Sequence, residues 1–186
     1  MKRIFDLVLA LLALLVLLIP IGLAALLVKL TSKGPVVYWS DRVGRYNSLF
    51  KMPKLRTMRV DTPAVATHLL SDPRQFLTPV GSFLRKSSLD ELPQLWSIIK
   101  GDMSFVGPRP ALFNQHDLVA LRTRFGVDQV LPGLTGWAQI NGRDELPIPD
   151  KVKLDFDYVQ RQSLMLDVKI IFLTFLRVLR RDGVAH

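Results

Sequence analysis

The stretch Leu7–Val28 carries no charged and no polar side chain, and nothing else in the chain constrains its fold as strongly. Wound as a helix it would reach about 33 Å, roughly the thickness of a bilayer's hydrocarbon core. This concentration of apolar residues is how a chain with 22% charged residues reaches 49% hydrophobic residues and a mean hydropathy of +0.25. The remainder reads as an ordinary polar globular sequence. The run is too long for a signal peptide, and Val28-Lys29-Leu30-Thr31 offers no small-residue cleavage site, so the segment is expected to be retained.

Two features set this run apart from a plain membrane span. Pro20 sits inside it, followed by Gly22, and a proline removes one helical hydrogen bond and crowds the preceding turn. Basic residues flank both ends, Lys2 and Arg3 before and Lys29 and Lys33 after, which draws both flanks to the cytoplasmic side. A kinked single span and a re-entrant helix–break–helix both satisfy these facts. Asp6 is expected to pair with Lys2 or Arg3 at the interface. The organisation predicted is a membrane segment over residues 1–33 and a cytoplasmic-face domain over 34–186.

A chain of 186 residues supports one domain with a real core. Its net charge of +9 points to an anionic partner such as a phospholipid surface or a phosphate-bearing substrate. The absence of cysteine excludes disulfides and thiol catalysis, and the three histidines show no metal-ligand spacing. The fold class predicted is α/β, helix-rich with short strands. No glycine fingerprint follows a strand, so a doubly wound nucleotide-binding sheet is not expected.

Val36-Val37-Tyr38-Trp39 reads as a short strand and Leu49 to Met58 as an extended basic segment. Asp61 to Pro73 reads as a loop. Thr78-Pro79 is a helix start, with Val80, Phe83 and Leu84 inward and an end near Lys86. A second helix is expected from Asp90 to Lys100, burying Leu92, Leu95, Trp96 and Ile99 and stopped by Gly101. Further helices are expected over Ala111–Phe125, Pro149–Gln162 and Asp167–Arg181. The last is amphipathic and basic, suited either to a membrane surface or to packing on its own core.

The strongest local signal is Ser88-Leu89-Asp90-Glu91-Leu92-Pro93. A helix cap with a first-turn acid explains it without any chemistry. The chemical reading is that an ionised aspartate can attack phosphorus while an adjacent carboxylate holds Mg²⁺. Lys54, Arg56, Arg85, Arg109 and Arg143 could grip phosphates, arginine by paired hydrogen bonds. Arg109 lies between two prolines and Arg143 follows a turn-forming Asn-Gly, which places both on stiff loops.

Long motifs in order resemble a known family. They are Lys2-Arg3-Ile4-Phe5-Asp6, the apolar run with Pro20, Arg56-Thr57-Met58, Ser87 to Leu95, Lys100 to Pro110, Pro132 to Arg143, and Leu166 to Ile170. The chain is similar over nearly its whole length to the small monotopic phosphoglycosyl transferases, the catalytic core of the bacterial sugar transferase family. That resemblance implies that Asp90 is the nucleophile and Glu91 its Mg²⁺-binding or acid–base companion, the two together holding the metal. It implies phosphate or substrate contacts from Lys54, Arg56, Arg85, Arg109, Arg143, Gln139 and Asn141. The implied reaction moves a sugar-1-phosphate from a UDP-sugar to undecaprenyl phosphate through a phosphosugar-aspartate, releasing UMP. The product would feed glycan assembly, with downstream glycosyltransferases as partners. The close of the chain, Arg180 to Val184, resembles members that use N-acetylated amino sugars. Members carry a re-entrant helix broken at a Ser-Pro pair, where this sequence has Ile19-Pro20, and work at the cytoplasmic face of the bacterial inner membrane. The chain shows no counterpart of the large members' extra spans and is expected to be a minimal catalytic unit. The competing reading is a non-enzymatic, membrane-anchored basic binding protein; no nucleic-acid-binding motif supports a nucleic acid as its ligand.

Overall fold

The computed structural model describes residues 1–63, 72–142 and 146–180. The apolar run forms helix α1, Lys2–Thr31, which continues through Pro20 without a change of assignment. The break expected at that proline is absent as an interruption of the helix. Proline costs one donor, and the surrounding turns retain theirs.

Residues 1–33 do not stand apart from the domain. Along α1, Asp6, Ala10, Ala24 and Val28 are buried, while Leu15, Val16, Ile19 and Leu23 between or beside them are exposed. Ala10, with Leu9, Ala13, Leu14 and Leu17, packs into the main core around Leu95, Ile98, Val106, Tyr158 and Ile170. Ala24 and Val28 pack into a second cluster with Leu55 and Leu84. Polar ties hold both ends. Lys2 Nζ meets Asp167 Oδ2 at 2.7 Å and Arg3 donates to the carbonyls of Ile98 and Ile99. At the other end Arg56 donates to the carbonyl and hydroxyl of Ser32 and to Pro35 O. Asp6 does lie near Lys2, at 3.7 Å, and is capped by the backbone N–H of Phe105.

Strands β1 (Val37–Val43) and β2 (Leu49–Leu55) form an antiparallel hairpin, with Tyr38 opposite Lys54 and Arg42 opposite Phe50. Its turn places Tyr46 and Asn47 at positive φ. Helix α2 is Gly81–Lys86, starting two residues later than a Thr78 cap with Pro79 first predicts, because Thr78 is committed to β2's exit: its N–H and hydroxyl both donate to Thr57 O. A Cβ at Gly81 would collide with that carbonyl. The next helix divides in two. Leu89–Gln94 is a 3₁₀ segment and α3 is Leu95–Lys100, ended by Gly101 at φ 103°. Trp96 and Phe83, expected inside, are each 57% exposed, and Ile98 and Leu84 are the fully buried positions.

Strand β3 (Ser104–Val106) pairs in parallel with β4 (Gly133–Thr135), linked through α4 (His116–Arg124). A short α5 (Trp137–Ile140), α6 (Ile148–Arg161) and α7 (Leu164–Arg180) complete the chain. Two small sheets amid helices make a helix-rich α/β fold, as the sequence predicts. Helix α7 buries Asp167 and Ile170 and bonds Thr174 to Thr135, leaving Val168, Phe172 and Phe175 on an exposed apolar face. Both packings open to α7 are used: Ile170 with Leu166, Ile171 and Leu173 meets the core, and Val168, Phe172 and Phe175 face outward.

Candidate active site

Asp90 and Glu91 lie on the 3₁₀ segment, and local backbone geometry sets them there. Ser88 adopts the left-handed region at φ 56°, which ends α2 and starts the new turn. Its side chain makes no capping bond, so the capping-box reading of this motif fails. A serine in that region is uncommon and points to a functional constraint. Pro93 lies inside the 3₁₀ segment and offers no N–H to it, and the segment gives way to α3 at Leu95.

The two carboxylates are treated oppositely. Glu91 Oε1 accepts from Lys54 Nζ at 2.8 Å and from Arg109 Nη2 at 2.8 Å. Burial pushes the Glu91 carboxyl up, but the two cations and their hydrogen bonds outweigh it and hold the group well below the usual range. Asp90 is 7% exposed, and among the described residues no donor bonds its carboxyl. Burial, against the pull of Lys54 and with the push of Glu91, raises it to about 6. Lys54 is itself lowered, mainly by burial. Arg85 completes the cluster electrostatically, held by Thr57 Oγ1 at 3.0 Å and Met58 Sδ at 3.3 Å. Three cations around two carboxylates leave a net positive cluster suited to a phosphate group.

Arg109 reaches this cluster from the other half of the domain, on a strap that is unusually well tied. The carbonyls of Val106, Pro108, Arg109, Pro110 and Ala111 accept respectively from Tyr158 Oη, Gly133 N, Arg122 Nη1, Arg42 Nη1 and Val43 N. Glycine permits the close approach beneath it: a Cβ at Gly133 or Gly136 would strike the Gly107 backbone.

Of the residues singled out in the sequence, Asp90, Glu91, Lys54, Arg85 and Arg109 come together. Arg56 lies elsewhere, 5% exposed and spent on the carbonyls of Ser32 and Pro35. Gln139 Nε2 donates to Leu134 O, and Asn141 Nδ2 to Trp137 O. Arg143 falls outside the described residues. Two arginines escaped sequence reasoning, Arg42 and Arg122. Arg122 carried a usable signal, since it follows Leu118 at i+4 and so shares the buried face of α4.

The chain matches the bacterial sugar transferase family over residues 1–181. Among individual proteins it is 42% identical to "Undecaprenyl-phosphate glucose phosphotransferase" of Komagataeibacter xylinus, over 95% of this chain and 35% of that protein. It is 43% identical to "UDP-glucose:undecaprenyl-phosphate glucose-1-phosphate transferase" of Xanthomonas campestris pv. campestris, over 96% of this chain and 38% of that one. It thus spans little more than a third of the length of either. With "Uncharacterized sugar transferase EpsL" of Bacillus subtilis it shares 39% identity over 99% of this chain and 90% of that protein. An alignment that runs from the first residue through α7, and takes in every element that builds the Asp90–Glu91 cluster, leaves one conclusion: the chain belongs to the bacterial sugar transferase family.

Proposed function

We propose that this chain transfers a sugar-1-phosphate from a UDP-sugar to undecaprenyl phosphate. The observation that carries the reading is the division of labour between neighbours. Asp90 is a buried carboxyl with no hydrogen-bond donor on it among the described residues, and Glu91 beside it is pinned by Lys54 and Arg109. A carboxylate without hydrogen bonds keeps its lone pairs for an incoming phosphorus. In the first step an Asp90 oxygen bonds to the phosphorus that bears the sugar, and the bond from that phosphorus to the UMP oxygen breaks. In the second, an oxygen of undecaprenyl phosphate bonds to the same phosphorus and Asp90 leaves as carboxylate. Lys54, Arg85 and Arg109 neutralise charge on the transferring group.

The donor set suits Mg²⁺. Two adjacent carboxylates supply hard oxygen ligands, and among the described residues no third acidic or histidine side chain joins them, which leaves positions for substrate phosphates. Asp90 and Glu91 would hold the ion, which when bound offsets phosphate charge that would repel the nucleophile.

The re-entrant reading of α1 is supported by its two tethered ends. Lys2 and Arg3 at one end and Ser32 at the other are bonded to the same domain, and the exposed middle is apolar. With the outward-facing Val168, Phe172 and Phe175 of α7, these ties support a reading in which the catalytic segment lies at headgroup depth on the cytoplasmic face of the inner membrane.

The donor has two readings. The close of the chain favours an N-acetylated amino sugar, and the names of the Komagataeibacter and Xanthomonas relatives favour glucose. Detergent-solubilised protein with Mg²⁺, undecaprenyl phosphate and a panel of UDP-hexoses and UDP-N-acetylhexosamines decides between them through UMP release. Release should depend on one donor and vanish in Asp90→Asn. Undiminished turnover in that variant would remove the covalent step, and silence across the panel would remove the substrate class.

A further inference from the structure

Among the described residues, the strap Gly107–Pro110 reaches the Glu91 carboxylate through Arg109, by a 2.8 Å bond. Whatever fixes the main chain at Arg109 therefore fixes that bond. On one side Arg42 Nη1 holds the next carbonyl, Pro110 O, at 3.1 Å. On the other, Arg122 Nη1 holds Arg109's own carbonyl at 2.8 Å.

Arg122 comes with its own orienting partner. Its Nε and Nη2 both bond Asp155 Oδ2, at 3.0 and 2.6 Å, joining α4 to α6. The pair is deeply buried, Arg122 at 8% and Asp155 at 1% exposure. A helix-to-helix staple accounts for two of these three bonds. It does not account for the third, nor for the choice of ions, since apolar residues of like volume join buried helices at least as well. A guanidinium does what they cannot: its fixed fork answers a carboxylate on one edge and a carbonyl on another at a set angle.

We infer that Arg122, oriented by Asp155, is a positioning residue of the transfer reaction: it clamps the Arg109 carbonyl so that the Arg109 guanidinium lies on Glu91 beside Asp90. The inference rests on the reading of Asp90 and Glu91 as the reacting pair. Neither Arg122 nor Asp155 touches substrate in this scheme. Both lie behind the strap, and the effect travels through one peptide unit.

Two variants of the full chain in detergent test it. Arg122→Met combined with Asp155→Leu removes both charges together, so that neither is left buried alone. Arg122→Lys keeps a charge for Asp155 but lacks the fork. Melting temperature, kcat and KM are measured with the UDP-sugar that wild type uses. Alongside, the Arg109 Nε–Hε NMR resonance, identified through Arg109→Lys, reports whether its guanidinium still sits on Glu91. Clamping predicts that both variants melt within a few degrees of wild type. It predicts that kcat falls about tenfold to hundredfold with KM changed by less than about threefold, and that the Arg109 resonance moves to that of a solvated arginine. A folded variant with wild-type kcat and an unmoved Arg109 resonance overturns it. So does a loss of kcat that tracks a loss of melting temperature while the resonance stays in place. If the double variant does not fold, Arg122→Lys decides on the same readouts. If wild type releases UMP from no donor, the functional reading is what has failed, and the Arg109 resonance alone decides the clamp.

Discussion

Asp90 and Glu91 share a peptide bond and differ in nearly everything else. Lys54 and Arg109 keep Glu91 ionised far into acid, whereas Asp90, buried and without a donor, is raised to about 6. A nucleophile must be ionised, so kcat/KM should fall as pH drops through about 6, and an initial-rate profile from pH 5 to 8 checks it. Stability runs the other way. Asp90's folded pKa lies above the unfolded value near 3.9, so its contribution is fully present below that value and is lost as pH rises through about 6. Asp90→Asn should therefore abolish UMP release and raise the melting temperature at pH 8, by up to about 3 kcal/mol of added stability. That gain should shrink towards zero near pH 4. A variant that melts lower than wild type at pH 8 would mean that Asp90 is a structural acid. The motif marked this pair as a candidate and the resemblance assigned its roles. Ser88 heads the segment but lacks the side-chain bond of a capping box, and a left-handed serine has no compositional mark. Arg42 and Arg122 were passed over for a related reason: an arginine on a strand or helix reads as solvated until its partner's position is known, and only Arg122 had a hint, its i+4 spacing from Leu118. Asp155 follows Val152 at i+3 and precedes Tyr158 by three, all three buried, and that stripe was the available hint.

At the scale of elements, the glycine-rich connections matter more than the helices they join. Gly107, Gly133 and Gly136 mesh backbone to backbone, so β3 and β4 can pair and the Arg109 strap can lie flat across them. Gly133→Ala would press a methyl into the Gly107 N–H and the Thr135 carbonyl, neither of which can swing aside. Its expected cost is about 2–4 kcal/mol, read as a fall in melting temperature together with weakened turnover. Gly22 gives the contrast. A Cβ there meets nothing within 4 Å, and Gly22→Ala should melt no lower than wild type. The same sequence word thus means close approach in one place and open space in another. The sequence pattern made α6 and α7 legible to within about three residues, whereas α4 begins at His116, five residues after the expected Ala111. It failed at α2 and α3, where Thr57, Thr78 and the 3₁₀ turn override the apolar spacing.

For the whole molecule, the decisive relation is between α1 and the domain beneath it. Ala10 enters one core cluster and Val28 another, and the 3₁₀ segment with Asp90 leads from Leu89, packed in the second, to Leu95, buried in the first. Asp90 thereby lies beneath the apolar helix, where on the proposed function a lipid-borne phosphate would arrive. Tethers at Lys2, Arg3 and Ser32 that all bond one domain support the proposed reading, in which α1 enters and leaves the bilayer on one side. A straight helix of its 30 residues would part its ends by about 45 Å. The chain has no cysteine, so single thiols can be added on a silent background. One placed just before Met1 and one at Lys33 should both resist a membrane-impermeant maleimide applied to intact spheroplasts, and both should react once the membrane is opened. Labelling of either from outside would mean that α1 spans the membrane. Its tethers to the domain would then have to break in the cell, and the headgroup-depth placement of Asp90 would fall with them.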